Sequence, residues 1–143
     1  MKEIYSKQNP EQLLHVIYET RDYKPGSTNF LTSDHYVLQA AVMFNPPKGH
    51  TFKGPHKHIP CKRTTDETYE AFIIHRGSVK VVIYDTDESK LGEEILLPGD
   101  LYIILGKGGH GFEVLTDDTV FFELKNGPYF GTEKDKVFFT PHD

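Results

Sequence analysis

His56 and His58 stand two residues apart in the run Gly54-Pro55-His56-Lys57-His58-Ile59-Pro60. On an extended strand that spacing puts both imidazoles on one face. Two adjacent imidazoles are half of a transition-metal site. An H-x-H pair alone is a weak signal, because polar surface loops produce it by chance. Two further residues strengthen it. Glu70 falls in a β-patterned run, 69–74, in which Glu70, Phe72 and Ile74 share a face, and His110 follows the stretch Gly106-Lys107-Gly108-Gly109. With His56 and His58 they supply three imidazoles and one carboxylate. That donor set suits one divalent transition metal, whether Fe, Mn, Ni, Co or Zn. Such a metal polarises a carbonyl or activates a bound water.

The elements that must position these groups follow from the totals and the punctuation of the chain. A length of 143 residues fits a single domain, 1–143, with a sizeable core. Hydrophobic residues at 37% and charged residues at 26% fit a folded, soluble chain and exclude a disordered one. A net charge of −5 without a basic stripe argues against a nucleic-acid partner. No apolar run approaches the roughly 20 residues that span a bilayer, and the start Met1-Lys2-Glu3-Ile4-Tyr5 lacks the apolar core of a signal peptide. Cys61 is the single cysteine, so no internal disulfide forms. A cytoplasmic setting is the expectation. Cys61 lies three residues past His58 and is read as a loop thiol before a soft metal ligand.

Residues 10–19 read two ways. Asn9-Pro10-Glu11 carries helix-start signals, whereas Val16, Ile17 and Tyr18 favour a strand over 14–19. Strands are expected at 36–44, 51–58, 69–74, 79–84, 94–97, 101–104, 110–114 and 120–125, separated by Gly, Pro, Asn and Asp turns. Eight short strands at regular spacing predict an all-β sandwich or small barrel.

The same residues resemble the cupin superfamily over roughly 36–125. The first cupin motif, G-x5-H-x-H-x3,4-E-x6-G, is matched by His56 and His58 and by Glu70 with Gly77. The spacer from His58 to Glu70 is longer than the family's, which implies an inserted loop at 59–68, and Gly49 lies one residue too far upstream. The second motif, G-x5-P-x-G-x2-H-x3-N, counted from Gly99 reaches His110 in register, with Leu105, Lys107 and Val114 in place of the family's Pro, Gly and Asn. The resemblance implies a double-stranded β-helix, a jelly-roll barrel, with an N-terminal extension. It also implies a metal held by His56, His58, Glu70 and His110, and a small-molecule ligand.

Three functions are consistent with that resemblance. One is a metal-dependent oxygenase or isomerase acting on a hydroxylated or keto compound. Another is a metal-free enzyme resembling cupin sugar-nucleotide isomerases, with histidines as acid and base. The third is a non-catalytic ligand-binding module. Substrate-contacting candidates are Gln39, the polar exception in 36–44, Arg63 in the inserted loop, suited to a carboxylate or phosphate, and Glu123. Glu123 and Lys125 share a strand face and are expected to form an exposed pair. His75 is expected on the face opposite Glu70, and His15, His35, His50 and His142 read as ordinary polar residues. The inserted loop is expected to gate the cavity, and a homodimer is expected to cover an open sheet edge.

Overall fold

The computed structural model describes residues 1–26, 28–32, 36–51 and 54–141, with the backbone alone at 28–30. Among them run ten strands: β1 (Lys2–Tyr5), β2 (Leu13–Tyr18), β3 (Thr28–Phe30), β4 (Ala41–Met43), β5 (Tyr69–Arg76), β6 (Val79–Tyr84), β7 (Lys90–Leu96), β8 (Leu101–Leu105), β9 (Gly109–Val114) and β10 (Val120–Lys125). Helical structure among the described residues is a 3₁₀ turn at Thr20–Asp22 and one α turn at Thr132–Asp135. The fold is all-β. All pairings are antiparallel: a five-stranded sheet ordered β1-β2-β8-β5-β10, a three-stranded sheet ordered β7-β6-β9, and the hairpin β3-β4.

Alternation along the strands explains how the two larger sheets meet. Phe72 and Ile74 of β5, Tyr102 and Ile104 of β8, and Ile17 of β2 share one apolar cluster with Val79, Val81 and Ile83 of β6 and Leu96 of β7. These are the inward faces of the two sheets, packed against each other as period-2 strands require. At one side the gap is bridged by charge, where Lys2 Nζ of β1 reaches Glu94 Oε2 of β7 at 2.6 Å.

The central strand β8 is buried at every position, because its second face is covered too. Leu101, Ile103 and Leu105 join Val16, Leu31, Tyr69 and Ala71, and Tyr36, Val37, Leu38, Ala40 and Val42 lie over them. This corrects the expected strand at 36–44. Only Ala41–Met43 is strand, and the rest packs onto the outside of the larger sheet by its side chains.

One open alternative is settled and one further expectation is revised. Residues 13–18 are strand, not helix: the branched and aromatic side chains prefer the pleat, and Pro10 sits in a turn closed by Gln12 N–H donating to Asn9 O at 2.9 Å. Strand β2 lies between β1 and β8 and buries Leu14, His15, Val16 and Ile17, so the first residues are part of the sheet rather than an extension of it. The strand expected at 51–58 is absent over the described residues 54–58, which are exposed (52 and 53 lie outside the described residues). That segment has no apolar residue to bury before Ile59, and Pro55 and Pro60 remove ladder donors.

Candidate functional site

Strands β5 and β9 each bring one reactive side chain to the same end of the gap between the sheets. Glu70 extends the inward face of β5 one step beyond Phe72, opposite Ile104 of β8 and Lys125 of β10. His110 is the second residue of β9, opposite Ile83 of β6. Its ring packs between two phenylalanines, 5.6 Å from Phe72 and 5.3 Å from Phe112 between centroids. The packing brings His110 Nε2 to 3.4 Å from Glu70 Oε2. Lys125 Nζ lies 3.8 Å from Glu70 Oε1 and 3.2 Å from Glu123 Oε1. Glu70 and His110 line a cavity of about 650 Å³.

Burial dominates the electrostatics. It raises the Glu70 carboxyl, and Glu123 adds to the rise while Lys136 and Lys125 oppose it. It lowers the His110 imidazole to about 4, and Lys136 pushes it further the same way while Glu123 opposes. The spacing is that of an ion pair, yet both groups shift toward their neutral forms. Removing two charges from water costs more than attraction across this gap returns. At neutral pH His110 is therefore an uncharged imidazole able to accept or donate one proton.

A second polar pair underlies the cavity wall. His15 is fully buried on β2. Its Nε2 is 3.1 Å from Tyr84 O, and its Nδ1 is 2.8 Å from Tyr102 Oη. A carbonyl only accepts, so Nε2 carries the hydrogen and Nδ1 accepts from the Tyr102 hydroxyl. Burial lowers this imidazole to about 4, the Tyr84 carbonyl opposes, and His110 adds to the lowering. A Cβ on Gly108 would lie 2.4 Å from His15 ring atoms. The glycine at 108 lets the loop before His110 rest on the His15 ring. The reading of His15 as an ordinary polar residue is thus corrected: it pins the strand and loop that carry the site.

The four expected metal donors are placed in two groups. Glu70 and His110 converge. His56 and His58 are exposed on 54–58, with ring centroids 5.3 Å apart and His56 Nδ1 3.2 Å from Gly54 O, and neither lines the cavity. Among the described residues no cluster of three or more His, Cys, Asp or Glu side chains is placed to hold an ion, and no buried side-chain N or O atom lacks a hydrogen-bond partner. As arranged, the donors do not make the expected four-ligand centre.

The other candidates also lie away from the cavity lining. Gln39 is exposed, and its amide donates to Tyr36 O at 2.6 Å. Arg63 is exposed and donates to Cys61 O at 3.4 Å. Cys61 is a free, exposed thiol. Of the inserted loop 59–68, Thr68 alone lines the cavity. Glu123 and Lys125 were expected to form an exposed pair. Their register beside Phe72 and Glu70 puts both on the inward face, where the two pair and Glu123 is exposed, as expected, while Lys125 is half-buried. Alternation along β10 carried that signal. Lys136 carried no signal in the sequence, since no periodic pattern places its segment. His75 is on the face opposite Glu70, as expected, exposed and with its ring 6.0 Å from Phe122. His50 is exposed, and His35 and His142 lie outside the described residues.

No family model, curated protein or solved structure matches this chain. Among the described residues no helix is long and apolar enough to cross a membrane.

Proposed function

We propose that this chain is a cupin-like protein that binds a small hydroxylated or keto compound between its sheets and moves a proton on it. The observation that carries the reading is the 3.4 Å approach of Glu70 Oε2 to His110 Nε2 inside the cavity. Two such groups reach adjacent atoms of one bound molecule. A carboxyl raised by burial is a stronger base than a solvated one, suited to taking a proton from a carbon or hydroxyl next to a carbonyl. A neutral imidazole donates a hydrogen bond to that carbonyl oxygen as charge develops on it. Lys125 holds the other carboxylate oxygen of Glu70 and leaves Oε2 facing His110.

The test is solvent exchange. The protein is incubated in D₂O with a panel of 2-keto and 2-hydroxy compounds, and loss of the proton beside the carbonyl is followed by NMR. Exchange with at least one member, lost in Glu70→Gln, supports the reading. Saturable binding without exchange anywhere in the panel replaces it with a non-catalytic ligand-binding role.

A metal centre is the second reading, favoured by the side-by-side rings of His56 and His58. It requires the 54–58 segment to come to the cavity so that His56, His58, Glu70 and His110 hold one ion of Fe, Mn, Co, Ni or Zn. Metal analysis of protein purified without added metal decides it. One ion per chain, lost in His56→Ala and in His110→Ala alike, establishes the quartet. Absence of retained or added metal removes it and leaves the acid–base reading.

A further inference from the structure

One wall of the cavity is not made by either sheet. Residues 135–141 form it, with Lys136, Val137, Phe138 and Phe139 among the lining groups. Among the described residues no strand pairs with this segment, and the backbone N–H groups of Lys134, Asp135 and Lys136 donate back to Gly131 and Thr132. Val137 and Phe138 are each 82% exposed. Phe139 ties the segment to the sheets. Its ring meets Tyr84 of β6 edge-on at 5.2 Å. It also lies over Gly109, where a Cβ would be 3.0 Å from Phe139 Cζ. Glycine at 109 thus leaves a notch at the start of β9, next to His110, and the ring fills it.

A segment tied to the sheets through Phe139, with no ladder hydrogen bonds to them among the described residues, opens locally without global unfolding. We infer that residues 135–141 are a strap that gates the Glu70–His110 pair, latched by Phe139 in the notch at Gly109. Latched, the strap walls in the pair and brings the Lys136 ammonium toward it. Released, it opens the cavity to solvent and to ligand. The strap serves the proposed function if the cavity is the ligand site, but access to His110 is measurable without any ligand.

The experiment is acylation of histidines by diethyl pyrocarbonate on the full chain, read peptide by peptide by mass spectrometry. In Phe139→Ala the His110 rate is expected to rise about five-fold or more, because the latched fraction falls. His15 should stay unreactive and His75 should react at its wild-type rate, which reports an intact fold. An unchanged His110 rate with His15 still protected overturns the strap. If Phe139→Ala also exposes His15, Gly109→Ala, which crowds the ring from the other side, repeats the test. Exposure of His15 in both variants makes Phe139 a structural support and likewise overturns the strap. Proton exchange absent from the whole compound panel removes the acid–base reading without touching this result.

Discussion

Glu70 Oε2 and His110 Nε2 lie 3.4 Å apart although they belong to different sheets. Their separation is set by the aromatic packing between the sheets, where Phe72 and Phe112 meet at 4.6 Å between centroids. Each ring is two residues along the strand from one member of the pair, so the core holds the pair at a fixed distance. The sheets contribute Glu70, Tyr84, Ile104 and His110 to the cavity lining, and the segment 135–141 closes one wall.

His15 makes stability depend on pH with a definite sign. It titrates near 4 when folded and near 6.5 when unfolded. Between those values the unfolded chain binds a proton that the folded chain refuses, so stability falls as pH drops. The loss is on the order of 3 kcal/mol for one such group. His110 acts in the same direction. Glu70 opposes them near its ordinary value of 4.5, because its raised carboxyl is protonated first in the folded state. Urea midpoints should fall steeply from about pH 7 to about pH 4.5. His15→Gln, which does not titrate, should flatten that fall, and an identical slope in the variant would remove His15 as its source.

Tyr102→Phe deletes the hydroxyl that donates to His15 Nδ1. The acceptor stays buried without a partner, which costs about 1–3 kcal/mol. The urea midpoint at neutral pH should drop accordingly. A change indistinguishable from zero would mean that another donor replaces Tyr102.

Lys125 is the cation paired with Glu70, 3.8 Å away. Lys125→Met keeps the side-chain bulk and removes the charge, so the Glu70 carboxyl should rise further above its ordinary range. Carbon-detected NMR of the Glu70 carboxyl reads this directly. A fall, or no movement, would show that Lys125 spends its time on Glu123 or over the Tyr129 ring, which its ammonium approaches at 4.6 Å.

The outer face of β5 and β10 is left bare by the segment that covers β2 and β8. Ile73, Phe122 and Leu124 are 39%, 53% and 47% exposed, and β10 is an edge strand. Two copies pairing antiparallel at β10 about Leu124 join the open edges, set Glu123 opposite Lys125 and bring the two exposed Leu124 side chains together. Sedimentation at tens of micromolar should give a dimer, and Phe122→Glu with Leu124→Glu should give a monomer. A monomeric wild type at that concentration would rule out the pairing.

The sequence was legible where alternation and turn residues agree. Strands β5, β6, β8, β9 and β10 fall within about two residues of the positions expected from pattern, and Glu70 lies on the expected face. Alternation cannot show that an apolar run covers a sheet instead of joining it, and so 36–44 was misread. The H-x-H spacing implies a shared face only if a strand exists, and 54–58 has no partner strand among the described residues to make one. The burial of His15 and the wall at 135–141 depend on contacts between residues distant in the chain, which local pattern does not encode.

NMR titration of His110, in wild type and in Glu70→Gln, tests most directly that the two groups form one buried, proton-handling pair. The wild-type imidazole should titrate at about 4, well below its ordinary 6.5. In Glu70→Gln the midpoint should stay near 4, because burial sets it and the Glu70 carboxyl, raised above its ordinary 4.5, is already neutral there. A wild-type midpoint near 6.5 would mean a solvated imidazole and would contradict the pair.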